Sequence, residues 1–270
     1  MAAVPQILIG DGESGWWDET LTHALLRAIP AATRVLLDYR CAAARAAHVL
    51  LPQLPQTRYV GVEADARALQ EAAAGLAGTR HAPRCSLLLA EGPTLPLAAR
   101  SVEVVLSVMS LQHCPDTHAL LSEARRVLRG PGTLLALEPD NLGQRFYFDG
   151  PLPEVDEAML RLHRQAAAVR QPADVALGPR LPALLHTAGF GAISVRLHAI
   201  GTSRRESARA FCDRLLRLGD RAARSAGLGP TDSEVTACHA AVRRILYLGM
   251  PQRVGFSAHL VPAFLCSGNP

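Results

Sequence analysis

The sequence predicts an α/β fold: an open, mostly parallel sheet with helices on both faces. Three observations carry this. Short apolar runs recur between residues 33 and 138, several of them ending on an acid. Between them lie Ala-, Leu- and Arg-rich stretches with helical period. Each interval from run to run is long enough for a crossover helix, and strands joined by such helices lie parallel.

The chain opens with a short apolar piece, Ile7-Leu8-Ile9, broken by Gly10-Asp11-Gly12. After Trp16 and Trp17, the apolar positions Leu21, Leu25 and Leu26 recur at helical spacing from Asp18 onward. One tryptophan is expected in the core. A sharper alternative is that the other lines a substrate pocket as part of an N-terminal helical cap over residues 1–30.

The first strand is expected at Arg34–Asp38, apolar on both faces and closed by a carboxylate. A tight turn and an Ala-rich helix over 42–51 follow. Further strands are expected at Arg58–Glu63, Cys85–Ala90, Glu103–Val108 and Thr133–Glu138, with helices over 65–76 and 117–128. Residues 139–150 then read as a loop rich in polar and aromatic residues, in a chain only 4% aromatic.

A helix over about 153–170 follows. Another ends at Gly189, which suits a C-terminal cap. Ile193–Ile200 reads as a sixth strand, and Val254–Leu265 as a last one, antiparallel to it. Between them, 204–250 reads as an insertion of two helices broken near Gly227-Leu228-Gly229-Pro230. Arg214, Arg217, Arg221 and Arg224 share one face there, read as a solvated basic face or, alternatively, a surface for an anionic partner.

Composition bounds the function. A length of 270 residues suits one large domain or two small ones, and 49% apolar residues suffice for a core. The whole chain is expected to be a single domain, 1–270. No apolar run approaches a membrane span, and the N-terminus lacks the pattern of a secretory signal, so a cytoplasmic protein is expected. The net charge of +4 is spread along the chain, all its basic residues being arginine, which argues against a nucleic-acid partner. Cys41, Cys85, Cys114, Cys212, Cys238 and Cys266 lie far apart with no Cys-x-x-Cys pair, so free thiols are expected and no metal site.

Several spaced motifs carry a family resemblance. Leu37-Asp38 precedes Arg40-Cys41-Ala42; Gly61-Val62-Glu63 ends the second strand; Ala90-Glu91-Gly92 precedes Leu95-Pro96-Leu97. Then come Ser101–Ser107, Leu111-Gln112-His113-Cys114-Pro115-Asp116 and Ala124–Gly132. In this order and spacing, residues 33–265 resemble a class I S-adenosylmethionine-dependent methyltransferase. The resemblance implies a Rossmann-like, doubly wound sheet of seven strands with the last antiparallel. It implies S-adenosylmethionine as cofactor. It places Asp38, Arg40, Cys41, Ala42, Glu63, Ala64, Glu91, Gly92 and Ser107 around it, with Glu63 on the ribose hydroxyls and Glu91 on the adenine amine. In that chemistry the protein mainly positions a nucleophile in line with an already electrophilic methyl group.

The family's three glycine positions hold Arg40, Ala42 and Ala44. Arg40 pointed inward fills the space of the cofactor's methionine with a cation; pointed outward, it demands another loop path. Acid–base candidates are His113, Asp140, Tyr147 and His198. The plainer alternatives are that His113 fixes its turn, Asp140 caps a loop and His198 belongs to a strand face. The expected function is methyl transfer to a small molecule in biosynthesis. The alternative is a degenerate subunit supporting an active homologue, or a non-methylating enzyme such as a cyclase. A homodimer or hetero-oligomer is compatible with either.

Overall fold

The computed structural model describes residues 17–169, 174, 176–248 and 251–270. The Ile7–Ile9 piece and Trp16 lie outside the described residues; Trp17 is buried. Two compact units appear. One contains Pro139–Gly178 and Leu197–Ala263, the other Asp18–Glu138, Pro179–Arg196 and Phe264–Pro270.

The second unit holds the alternating part of the chain. Helix α1 (Glu19–Ala28) starts where Asp18 accepts the Leu21 N–H at 2.7 Å and buries Leu21, Ala24 and Leu25. Then follow β1 (Val35–Tyr39), α2 (Arg45–Leu50), β2 (Arg58–Glu63), α3 (Ala66–Leu76), β3 (Cys85–Leu89), β4 (Val102–Val108), α4 (Thr117–Val127) and β5 (Leu128–Pro139). Asp65 and Asp116 cap α3 and α4 through the N–H groups of Arg67 and Ala119.

The pairs β1–β2, β1–β4, β2–β3 and β4–β5 are parallel. Their order is β3-β2-β1-β4-β5. The winding therefore reverses between β1 and β4, and ligands of open α/β sheets lie at the carboxyl ends of strands at such a reversal. Gly61 has to be glycine here: a Cβ would sit 2.8 Å from both Cys41 Sγ and Leu87 Cδ2.

Helix α6 (Leu177–Thr187) ends as expected, with Gly189 at φ +82° and the Phe190 N–H bonded to Leu185 O at 3.0 Å.

In the first unit, β6 (Arg145–Phe148) runs antiparallel to β8 (Val254–Asn269), with Phe146 opposite His259. Helices α5 (Pro153–Val169), α7 (Ala208–Ser225) and α8 (Ser233–Leu248) bury Met159, Leu162, Phe211, Leu215 and Val242 in one core. Strand β7 (Gly191–Ser207) pairs with β8.

Four expectations need correction. The stretch 139–150 contains β6, which is only four residues long, too short for alternation to register. Strand β7 outruns its expected end at Ile200, and α7 begins at Ala208, because Ser207 Oγ accepts the Ala210 N–H. Eight strands are described rather than seven. Finally, Arg214 is not on a solvated face: it is 4% exposed, paired with Glu206, and its guanidinium lies 5.0 Å from the Phe211 ring centroid.

All six cysteines are free, with Cys41, Cys212, Cys238 and Cys266 buried. No helix among the described residues is long and apolar enough to cross a membrane.

Candidate functional site

The turn after β1 keeps a glycine path without glycines. Arg40, Ala42 and Ala44 all have left-handed φ, at 52°, 46° and 54°. An L-residue in that region costs roughly 1–2 kcal/mol. The turn is held nonetheless: Cys41 N–H extends the ladder to Val62 O at 3.1 Å, and Ala44 N–H bonds to Cys41 O at 2.8 Å. The loop has therefore kept its path despite the bulky residue.

Glu63, at the tip of β2, is 4% exposed. Its Oε2 accepts the Ala42 N–H at 2.9 Å, and its Oε1 accepts the N–H groups of Ala64 at 2.7 Å and Asp65 at 3.2 Å. One carboxylate thus ties the β1 turn to the β2 turn, with acceptor capacity left over, since its two oxygens offer about four sites. Leu89, the register partner of Glu63 on β3, is 56% exposed and offers an apolar surface beside it.

Asp38 lies below, buried, accepting the Tyr59 hydroxyl at 2.6 Å. Burial pushes its carboxyl up to about 7, against the lowering effect of the Tyr59 bond; the nearby Glu63 adds to the rise.

The turn after β4 is fixed by Glu138, at the end of β5 and fully buried. Its Oε1 accepts the N–H groups of Ser110 at 2.9 Å and Leu111 at 2.8 Å, and its Oε2 that of Gln112 at 3.4 Å. Met109 turns the chain there with φ 55°. The sequence reading passed over Glu138; the available signal was an acid closing a wholly apolar strand.

This turn carries His113, whose carbonyl accepts Arg40 Nη1 at 3.3 Å. The Arg40 side chain thus links the turn after β1 to the turn after β4. Its charge also favours the ionised forms of the Tyr39 phenol and Cys114 thiol nearby, although burial pushes both groups up overall.

Glu91 and Gly92 are exposed on the loop after β3. Farther along, Glu123 accepts the Leu95 N–H at 3.0 Å, and Arg126 donates to Leu95 O and Leu97 O at 3.1 and 2.9 Å. Ser107 is 1% exposed; its hydroxyl has no hydrogen-bond partner among the described residues, and it lines a small apolar cavity with Tyr39, Leu95, Leu111 and Leu120.

The first unit holds the remaining acid–base candidates. Asp140 accepts the Leu142 N–H at 3.0 Å, a capping bond. Tyr147 is half-buried on β6, opposite Ala258, and His198 is half-buried on β7.

The same unit has a buried polar row that the sequence reading missed. Met159 O bonds to His163 Nδ1 at 2.7 Å. His163 Nε2 meets Gln144 Nε2 at 3.4 Å, and Gln144 Oε1 meets His259 Nε2 at 2.7 Å. Burial lowers His163 to about 4, and burial followed by the charges of Arg214, His163 and Arg221 lowers His259 to about 3. No sequence spacing links residues 144, 163 and 259, so the row emerges only on folding.

The nucleoside half of an S-adenosyl cofactor fits the second unit. Glu63 retains acceptor capacity for a ribose hydroxyl, and exposed Leu89 can face a base. The Arg40 guanidinium spans the turns after β1 and β4 in the same unit.

Fold and strand order together define a doubly wound α/β protein. Comparison with known proteins narrows this. Residues 37–136 match the family described as a methyltransferase domain. An uncharacterized methyltransferase of Mycobacteroides abscessus is 42% identical over 80 residues, 30% of each chain. An uncharacterized 37.1 kDa protein in transposon TN4556 of Streptomyces fradiae is 32% identical over 141 residues, 52% of this chain and 38% of that one. The chain thus spans only 30% to 38% of these curated relatives.

Among solved structures, the YcgJ protein of Bacillus subtilis is similar with TM-score 0.55 and 16% identity, over 92% of this chain and 97% of that one. Phosphoethanolamine N-methyltransferase 2 of Haemonchus contortus, solved with S-adenosylhomocysteine, gives TM-score 0.53 and 15% identity over 93% and 53%. The cyclase SpnF gives TM-score 0.51 and 16% identity over 97% and 85%. Residues 37–136 thus resemble a methyltransferase domain, and the chain shares its fold with solved methyltransferases.

Proposed function

We propose that this protein transfers a methyl group from S-adenosylmethionine to a small-molecule acceptor. The supporting observation is Glu63: a buried carboxylate at the tip of β2, aligned by the N–H of a left-handed turn beside the β1–β4 reversal. Glu63 accepts from the ribose, Leu89 and Ala64 flank the base, and Glu91 and Gly92 border it. The cofactor supplies an electrophilic methyl carbon. The chain orients it, excludes water and leaves the acceptor's nucleophile to complete the transfer.

His113, on the turn fixed by Glu138, is the proton acceptor proposed in this unit.

Calorimetric titration of the full chain with S-adenosylmethionine and S-adenosylhomocysteine tests the cofactor reading. Binding in the micromolar range, lost at least tenfold in Glu63→Gln, is expected. Absence of heat and of any melting shift with both ligands refutes it. Release of S-adenosylhomocysteine against a panel of hydroxyl and amine acceptors then tests the transfer itself.

Arg40 favours a second reading, in which the fold serves a non-methylating reaction or supports a partner. A guanidinium at the reversal is a poor neighbour for a sulfonium. SpnF, named as a cyclase, has a similar fold. A methyltransferase of Haloferax volcanii with a similar fold, TM-score 0.51, was solved with its activator Trm112.

A further inference from the structure

We propose that one end of the first unit docks on an anionic lipid surface. Tyr247, Val254 and Phe256 are the apolar anchors, and Arg205, Arg209 and Arg243 carry the charge that meets the headgroups. The proposal uses no residue of the other unit and stands apart from the donor reading.

Hydrogen bonds bring these residues to one end. The N–H groups of Ala208 and Arg209 bond to Arg253 O at 3.1 Å and Pro251 O at 3.3 Å, so the start of α7 lies beside the start of β8. Cys212 Sγ bonds to Val242 O at 3.3 Å, which sets the last turns of α8 against the first turns of α7. Ser257 Oγ bonds to Arg204 O at 3.2 Å, so Arg205 and Phe256 are neighbours across the strand pair.

The apolar groups at this end face water. Tyr247 is 89% exposed, Val254 55% and Phe256 54%. A single exposed apolar residue is ordinary, but a cluster of them marks a surface that is covered in use. Tyr247 and Phe256 are also the exposed large aromatics among the described residues, in a chain only 4% aromatic. The backbone presents Phe256 firmly: its N–H bonds to Asp149 Oδ1 at 2.7 Å, and its carbonyl accepts the Asp149 N–H at 2.8 Å.

The charge around the anchors names the partner. Arg253 is neutralised by Asp149 at 3.0 Å. Arg205, Arg209 and Arg243 are exposed and have no carboxylate partner among the described residues. The exposed acid nearby on α7 is Asp213, so positive charge prevails. Aromatic and aliphatic side chains at the end of a unit, ringed by arginines, match an anionic bilayer on both counts. The rings settle at the headgroup boundary, and each guanidinium lies among the phosphates with its stem along apolar surface.

The size of each contribution follows. Covering the exposed half of Phe256 is worth roughly tenfold in a binding constant. One arginine near an anionic surface is worth about fivefold. Arg224, exposed at the far end of α7, lies about 22 Å along the helix from Arg209 and beyond the screening length of about 8 Å, so it contributes little.

The test is sedimentation of the full chain with vesicles of phosphatidylcholine alone and of phosphatidylcholine with phosphatidylglycerol in about equal parts. Wild type is compared with Phe256→Ser, Tyr247→Ser, Arg209→Gln and Arg224→Gln, each checked for native circular dichroism. Tyr247 is so exposed that its replacement leaves the fold intact. Wild type should bind the mixed vesicles and not the neutral ones. Binding should weaken roughly tenfold in Phe256→Ser, at least about threefold in Tyr247→Ser and about fivefold in Arg209→Gln, but less than about twofold in Arg224→Gln. Failure of wild type to bind the mixed vesicles overturns the proposal. So does binding that both aromatic replacements leave unchanged, or an Arg224→Gln loss equal to that of Arg209→Gln, since either would mean diffuse attraction of charge. If soluble polyglutamate binds as tightly as the vesicles do, the partner is an acidic chain and the lipid proposal fails.

Discussion

The three left-handed residues after β1 allow a sharp stability experiment, because Ala42 and Ala44 share a backbone conformation and differ in surroundings. Ala42 has φ 46° and is exposed, whereas Ala44 has φ 54° and is fully buried. Replacing either by glycine relieves a strain of roughly 1–2 kcal/mol. Each replacement also frees the unfolded chain, at a cost of about 0.4–1 kcal/mol. For Ala42 no packing is lost, so Ala42→Gly should stabilise by about 0.5–1 kcal/mol. For Ala44 a buried methyl goes as well, about 0.8 kcal/mol, so Ala44→Gly should be close to neutral. Urea denaturation of the two variants beside wild type, at unchanged slope, measures the difference. The reasoning is refuted if Ala42→Gly destabilises by a full kcal/mol, or if Ala44→Gly stabilises more than Ala42→Gly does.

Other perturbations follow from the same geometry. Asp38 is raised from 3.8 to about 7, so the native state holds its proton where the unfolded state releases it. Its contribution to stability is present below pH 4 and lost as pH rises through 7, by up to about 4 kcal/mol. Asp38→Asn should remove that loss, and its advantage over wild type in denaturant midpoint should grow between pH 4 and pH 7; a constant advantage contradicts the assignment. Glu138→Gln weakens three bonds to the turn after β4. It should cost about 1.5–3 kcal/mol by thermal denaturation, and a change under 0.5 kcal/mol would mean the turn holds itself. His163 and His259 are lowered from 6.5 to about 4 and about 3, so below pH 6.5 the unfolded chain binds protons that the native one refuses. Stability should fall as pH drops from 6.5 toward 4, and nitrogen NMR should find both rings neutral at pH 5.5; a ring titrating near 6.5 in the folded protein refutes this.

How much the sequence discloses depends on how local each cause is. Strands β1, β2, β4 and β5 are buried on both faces, and unbroken apolar runs announce that directly. The acids closing β1 and β2 were legible for the same reason: a charge after such a run stands out. Glu138 also stood out, yet its task depends on N–H groups 26 to 28 residues upstream. Arg214 was misread because helical spacing identifies a face without saying what covers it, and its partner Glu206 lies on the preceding strand. The path of Arg40 was open in both directions until the His113 carbonyl supplied the anchor.

The row of side chains from Met159 to His259 has a one-way sense. A peptide oxygen has no hydrogen to offer, so the proton of His163 has to reside on Nδ1, leaving Nε2 bare to receive one from the Gln144 amide. That orientation turns the amide oxygen toward His259, which must therefore carry its own hydrogen on Nε2. The far nitrogen of His259 is left as a lone pair. The Met159 carbonyl thus decides, three groups away, that whatever approaches His259 Nδ1 meets an acceptor and not a donor.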